Sequence, residues 1–544
     1  MVTALGAIAA IALIILVGAP LVGWPAVVRL PAVLVPALTL GVLAMRPWRW
    51  RDSKVKAVDQ WTPAPRVVWA GATVGGLLLF WIVMTRFYSG EINAIDFTVY
   101  FDRPCYQTVQ GHPLLIETSD EARFSNRGEL ADHAYWAMFP LCSLYAIHSS
   151  PVWLLAISVV AVVAGAVYTG RIVQLVGGGG LLATATALAF VLNDNTARTL
   201  NYGFHPEVLY AWFIPWMIDA GLRGRRRQFV AATLACVLVK ESACMPIFAA
   251  TVALALARYR TMSWTERSLF LVLPNVLALA NVGMYYGWVV PRLTEDGRPT
   301  LAYFWEYYGP TPILALLGMA RRPWQVLVAT VTSGFFTRVI TPHLFLPLVG
   351  WRWMAGAVPI ILIFGASAAE QVRAFGIYYA IPLVPFLVIA ASAGALVVAR
   401  RIVADPAHAR FAAAAAILLG ALLVGSGDRG YSLRPWRPEV GTVPEALARL
   451  SDERLVLVQS GLFPHAGYEA RFRLLTRETL DDPRNAGAAV LVARDINAYP
   501  FEPGELEPLT TLAPVGPMPE GLLAVRLTAH HKNNRAGQDV LPGP

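Results

Sequence analysis

The chain has 544 residues, 56% hydrophobic and only 15% charged, with a formal net charge of +9 and a mean hydropathy of +0.52. Soluble domains carry about 25% charged residues, so this composition excludes an ordinary soluble globular protein. The basic excess does not call for nucleic acid. The arginines fall in short loops between apolar runs of roughly 16–24 residues, which is the pattern of an all-α polytopic membrane protein with basic cytoplasmic loops.

Residues 2–23 and 26–45 read as two spans. The first lacks a basic n-region and a second apolar run follows at once, so it reads as a retained span and not as a signal peptide. The loop RPWRWRDSKVKAVDQWTPAPR, 46–66, is strongly basic and is expected on the cytoplasmic side, which places the N-terminus there too. A span at 67–85 then leads outward into a polar stretch, 86–133. Segment 134–148 is apolar but short and interrupted by Pro140, and is expected to lie at the interface. Spans follow at 152–170, 178–193, 207–222, 228–241, 243–257 and 267–290, with inner turns marked by Arg171, RGRRR (223–227) and RYR (258–260). A second outer stretch covers 291–334. Spans near 335–350, 354–369, 376–399 and 411–427 bring the total to about 13. The basic loop ARRIVADPAHAR, 399–410, falls inside. Treating 134–148 as a true span would throw these arginine clusters outside, against the positive-inside rule.

The tail, 428–544, has an ordinary soluble composition. ERLVLVQS (453–460), AAVLVARD (488–495) and GLLAVRL (521–527) read as short buried strands of a small extracytoplasmic α/β domain. The final HHKNNRAGQDVLPGP is expected to be disordered. The chain thus divides into two N-terminal spans with their loop (1–66), a membrane domain (67–427) and the outer domain (428–544). The four cysteines show no metal spacing. Cys105 and Cys142 both fall in expected outer segments, where an oxidising compartment permits pairing, but the sequence leaves their connectivity open.

With sides assigned, the ionisable residues near span ends sort to one level. Asp96 and Asp102 lie in AIDFTVYFDRPCYQ, and His133 in ELADHAYW. Asp194 ends one span, and His205 and Glu207 open the next in NYGFHPEVLYAW. Lys240 and Glu241 lie in VLVKESACMP, and Arg373, Tyr378 and Tyr379 in QVRAFGIYYAIP. Each has a plainer explanation. Loop carboxylates solvate loops, Pro206 and Glu207 suit the first turn of a helix, and an interfacial lysine snorkels. The cytoplasmic arginines are topology signals. Independent helix-end accidents would not all choose one face, whereas charges at membrane depth commonly line a polar cavity. A carboxylate there can act as general base. Histidine with carboxylates can hold magnesium, manganese or calcium, and Lys or Arg can grip a phosphate leaving group. GGGG at 177–180 lacks the lysine of a phosphate loop, and no zincin or nucleophile-elbow motif is present, so no nucleotide cofactor is expected.

These residues resemble a family of bacterial and archaeal predicted membrane proteins, a domain of unknown function related to the GT-C glycosyltransferases. The resemblance is carried by AIDFTVYFDRPCYQTVQGHPL, ELADHAYWAMFPLCSLY, the stretch from NYGFHPEVLYAW to LVKES, IYYAIPLVPFLVIAA and LVQSGLFPHAGYEARFRLL. It spans residues 70–500 in round terms, and the first two spans look like an addition. It implies a GT-C-like fold and an integral glycosyltransferase of the bacterial or archaeal cytoplasmic membrane. Such an enzyme moves a hexosyl or pentosyl group from a polyprenyl-phosphate donor to an acceptor hydroxyl at the outer face. Asp96 matches the acidic residue that serves as base or metal ligand. His133, His205, Glu207, Lys240 and Glu241 match polar positions of the family. Two departures stand out. Ser242 follows Lys-Glu where an acid is common, and Ile377 precedes Tyr378 where a histidine is common. The expected roles are catalysis for Asp96, metal or acceptor binding for Asp102, His133, His205 and Glu207, and donor-phosphate binding for Lys240 and Arg373. Glu241, Asp194 and Tyr378 are expected to line the site. Membrane lipids, the lipid-linked sugar and an acceptor are the expected partners. The alternative is a non-enzymatic transporter or flippase of a lipid-linked glycan, which needs a polar path to the inner face. A scaffold whose outer domain binds an envelope partner would leave the polar cluster unexplained.

Overall fold

The computed structural model describes residues 65–116, 129–293, 304–425, 434–502 and 504–527. The expected spans at 2–23 and 26–45, most of the loop after them and the expected disordered tail lie outside these residues. The described chain is mostly helical. Five helices are long and apolar enough to cross a membrane: Gly71–Tyr88, Val152–Val191, Glu241–Thr261, Trp264–Leu293 and Val384–Ile402. Ala355–Gly365 and Pro406–Ala421 are shorter apolar helices. The described residues divide into two compact units, one within 65–77, 159–199 and 206–425, the other within 78–158, 200–205 and 434–527.

The first unit is built from apolar helices that meet through small residues. The long run Val152–Val191 is two helices, Val152–Val173 and Gly179–Val191, because Gly177 and Gly179 adopt positive φ at the turn. The two fold back on each other at Gly170, where a Cβ would stand 2.7 Å from the Ala183 carbonyl oxygen. Gly350 and Gly394 do the same for Leu346–Val349 against Val384–Ile402. A Cβ on Gly394 would lie 2.1 Å from the Leu346 oxygen, and one on Gly350 would lie 1.9 Å from the Ala390 oxygen. Close backbone approach through Gly and Ala is the packing mode of membrane helices, where no hydrophobic drive separates helix from lipid. Buried hydroxyls add to it, with Thr186 and Ser392 2.8 Å apart.

Several expected elements differ. The run expected to span at 335–350 is broken into the π-turn Phe335–Ile340, the turn Thr341–His343 and the short helix Leu346–Val349. Leu344 and Phe345 sit in the left-handed region, which no composition signal announces. The stretch 291–334, expected as a loop, contains the helices Pro312–Arg321 and Pro323–Thr332, each started by a proline. The arginines near the expected inner turns also make specific bonds. Asp219, fully buried, pairs with Arg171 and Arg223, each at 3.0 Å.

In the second unit, the polar stretch after Tyr88 is helical, with a π-turn at Ile95–Asp102 running into the helix Arg103–Val109. Segment 134–148 holds only the helix Met138–Cys142 and the turn Ser143–Ala146, too short to cross. A disulfide joins Cys105 to Cys142. The C-terminal region forms a four-stranded sheet with β1 (Val456–Val458), β2 (Phe472–Leu474), β3 (Ala489–Ala493) and β4 (Leu522–Arg526) in the order β2-β1-β3-β4. β1 runs parallel to β2 and β3, and β4 antiparallel to β3. Alternation along the strands gives the sheet two apolar faces. Val456, Val458, Phe472, Ala489 and Leu491 pack with the helix Val443–Arg449 and with Ala94. Leu457, Val490, Val492 and Val525 pack with Leu475, Phe501 and Leu509. The sheet is fastened to the end of the Pro65–Tyr88 helix by backbone bonds from Arg437 to the Tyr88 oxygen and from Asn497 to the Gly90 oxygen, both 3.1 Å.

Candidate functional site

Within the second unit, Asp96 sits in the first turn of the Ile95–Asp102 segment. Its Oδ2 accepts hydrogen bonds from the Asn93 side-chain amide at 2.9 Å and from the Tyr202 hydroxyl. Asn93 is itself fixed, because its Oδ1 accepts the Ile95 N–H at 3.0 Å. Two donors on one oxygen set the plane of the carboxylate.

The motif NYGFH, 201–205, lies against this same segment. Gly203 has φ 106°, and a Cβ there would stand 3.3 Å from both Ile92 and Phe97, so the close approach requires glycine. Phe204 meets Phe101 edge-on at 5.7 Å between ring centroids. His205, buried, meets Phe101 at 4.9 Å and Tyr135 at 6.0 Å. His133 lies edge-on to Tyr135 at 5.1 Å. Asp96, Tyr202, His205 and His133 therefore belong to one aromatic-lined cluster.

Asp102 takes a different place. It is 2% exposed, and its Oδ1 accepts from the Tyr145 hydroxyl at 2.7 Å and the Tyr468 hydroxyl at 2.9 Å. Burial pushes its pKa up to about 6, against the lowering effect of the two hydroxyls and Arg103. Arg103 donates to the carbonyls of Gly467 and Glu469 at 2.9 and 3.1 Å. This node joins the segment after Asp96 to the sheet region.

Within the first unit, the Lys240 ammonium donates to Glu207 Oε1 at 2.6 Å, with both side chains buried. Lys240 is extended (φ −167°, ψ 158°) and separates the helix Arg226–Val239 from Glu241, which breaks the apolar run and turns the ammonium inward. Glu241 and Tyr379 lie within electrostatic range of Lys240, and Tyr210 lies within range of both glutamates. Tyr378 and Tyr379 bring their hydroxyls to 3.3 Å after a strained turn in which Phe375 and Ile377 have φ 52° and 53°. A β-branched residue at positive φ is a marked outlier, and such strain gathers at functional sites. Asp194 is held by Arg198 at 2.7 Å, within one helix. Arg373 lies exposed at the end of the short helix Glu370–Arg373.

Among the described residues, no three His, Cys, Asp or Glu side chains converge as a metal donor set. Sequence reasoning missed Tyr202, Asn93, Tyr135 and the Asp219 ion triad. Tyr202 and Tyr135 had a signal, their places inside the motifs NYGFH and ELADHAYW.

No curated protein matches the chain in sequence. Two solved structures of ArnT from Cupriavidus metallidurans are similar to it, each at 14% identity. The one bound to undecaprenyl phosphate has a TM-score of 0.48, and the match covers 85% of this chain and 98% of that one. The apo form has a TM-score of 0.45, with 86% and 99% covered. A family model described as a predicted membrane protein, DUF2079, matches residues 86–425, and the chain belongs to that family.

Proposed function

We propose that this protein is a GT-C-like integral membrane glycosyltransferase that moves a sugar from a polyprenyl-phosphate donor to an acceptor hydroxyl at the outer membrane face. The observation that carries the reading is Asp96, a carboxylate just past an apolar helix, oriented by Asn93 and Tyr202 beside a histidine motif. Asp96 takes the acceptor proton as the acceptor oxygen bonds to the sugar carbon, while the donor's carbon–oxygen bond breaks and the polyprenyl phosphate leaves with the electron pair. Lys240, ion-paired with the buried Glu207, answers the charge developing on the departing phosphate, with Arg373 as a second cation. His133 and His205 bound the acceptor side. Glu241, Asp194 and Tyr378 are the first-unit residues proposed to accompany Lys240.

The test is label transfer in nanodiscs. Purified protein is incubated with radiolabelled polyprenyl-phosphate sugars and membrane extract, with and without EDTA, beside Asp96→Ala and Asp96→Asn. Transfer lost in both variants, with folding kept, supports the enzyme, and the EDTA lane decides the metal. Full transfer in either variant removes Asp96 from the chemistry. Saturable binding of the lipid carrier without transfer by the wild type would replace the enzyme with the transporter.

A further inference from the structure

The turn Gly177–Gly180 is met by two arginines from the last two described apolar helices of the first unit. Arg400, in the last turn of Val384–Ile402, donates from Nη2 to the Gly177 carbonyl at 3.2 Å. Arg410, in Pro406–Gly425, lies across Gly179, with its Cδ and Nε 3.2 and 3.4 Å from the place a Cβ would occupy. The two guanidinium groups lie within electrostatic range of each other. Gly177 and Gly179 both hold positive φ, so the turn is built to stay bare.

The basic turns at Arg171, 223–227 and 258–260 each hold at least one arginine paired with a carboxylate. Arg171 and Arg223 share Asp219, and Arg258 reaches Glu266. Among the described residues, Arg400 and Arg410 have no carboxylate partner. The one acid in their connecting loop, Asp405, is taken by the backbone N–H and ring of His408, at 2.8 and 2.6 Å. Two like charges held together without a counter-charge repel, and an anion between them removes that cost. Guanidinium groups bind phosphate oxygens in paired, planar fashion.

We infer that Arg400 and Arg410, closed over the bare Gly177–Gly180 turn, form a binding site for a phosphate group. The arginines end apolar helices, so the site lies at head-group depth, and an anionic phospholipid is the source within reach. The site is independent of the proposed glycosyl transfer.

The test is native mass spectrometry of the full chain in detergent, titrated with phosphatidylglycerol or phosphatidylcholine. Arg400→Gln/Arg410→Gln is compared with wild type and with Arg260→Gln as an exposed control. The wild type and the control should retain one phosphatidylglycerol roughly 30-fold more tightly than the double variant, with no such difference for phosphatidylcholine. Arg410→Lys, which keeps the charge and loses the planar fork, should fall between. Inorganic phosphate at millimolar concentration that displaces the lipid would identify free phosphate as a sufficient ligand. Failure to displace it would assign the whole head group. Equal phosphatidylglycerol retention by wild type and double variant overturns the inference, as does a graded loss that the Arg260→Gln control shares.

Discussion

The Tyr202 hydroxyl donates to the Asp96 carboxylate, joining residues 106 positions apart in the chain. The bond makes NYGFH part of the Asp96 environment and not merely the start of the next helix. A hydrogen bond to a charged group contributes about 1.5–3 kcal/mol, so Tyr202→Phe should slow transfer roughly 10- to 100-fold. Size-exclusion profile and helicity should stay those of the wild type. A Tyr202→Phe protein with undiminished initial rate would show that the orientation of Asp96 does not matter to the reaction.

The buried Lys240–Glu207 pair predicts an asymmetry between single and double variants. Removing one partner of such a pair strands a charge and costs about 3–5 kcal/mol. Glu241 lies within range and can take over part of the pairing. Glu207→Gln should therefore lower the detergent melting temperature less than Glu207→Gln/Glu241→Gln. Adding Lys240→Met to Glu207→Gln should recover stability, because no charge is left unpaired. Additive losses in the Glu207→Gln/Lys240→Met protein would mean that the two side chains do not act as a pair.

Local chemistry made much of this organisation legible, and distance concealed the rest. The apolar runs at 67–85, 152–170, 178–193 and 376–399 overlap the helices Pro65–Tyr88, Val152–Val173, Gly179–Val191 and Val384–Ile402, and short β-rich runs marked β1, β3 and β4. β2, Phe472–Leu474, is as short as β1 but is interrupted by Arg473, so it lacks the continuous apolar run that marks Val456–Val458. The polar residues at 86–109 read as loop because their helical turns are held by partners in a sheet more than 350 residues away, as in the bond from Ala94 to Ser460. Asp219 sits inside an apolar run, and its purpose appears only when the turn from Arg171 brings that arginine beside it. Asp96 and Asp102 look alike in sequence. One is oriented by an amide and a phenol, and the other is sealed between two phenols.

That difference gives a pH prediction. The folded pKa of Asp102 is raised from 3.8 to about 6, so the folded state holds a proton that the unfolded chain has lost. Its stabilising contribution is full below pH 3.8 and is lost as pH rises through 6, a swing of roughly 3 kcal/mol. His465 works the other way. Burial lowers its pKa from 6.5 to about 4, so stability falls as pH drops from 6.5 toward 4. The two windows nearly coincide, and the wild-type contribution of this pair should be close to flat between pH 4 and 6.5. Asp102→Asn should expose the His465 effect and lose stability on acidification. His465→Gln, which can still donate to the Phe87 carbonyl, should gain it. Parallel melting profiles for the three proteins across this range would refute both assignments.

The Cys105–Cys142 disulfide carries the last prediction, and it concerns both stability and sidedness. Cys105 lies three residues after Asp102, and Cys142 lies three before Tyr145, so the bond holds the tyrosine against its carboxylate. A cross-link closing 37 residues restricts the unfolded chain by up to about 4 kcal/mol. Dithiothreitol should therefore lower the melting temperature of the wild type. Cys105→Ser/Cys142→Ser should start at that lower value and not respond to the reductant. The bond also requires an oxidising compartment, since a bacterial cytosol keeps thiols reduced. In intact cells quenched with maleimide before lysis, both cysteines should resist labelling until reduced, in agreement with an outer position for 86–133. Cys236 is buried and does not confuse the assay, and Cys244→Ser removes the remaining thiol. Immediate labelling of Cys105 in unreduced cells would place this segment in the cytoplasm and, with it, Asp96 on the wrong face for the proposed donor.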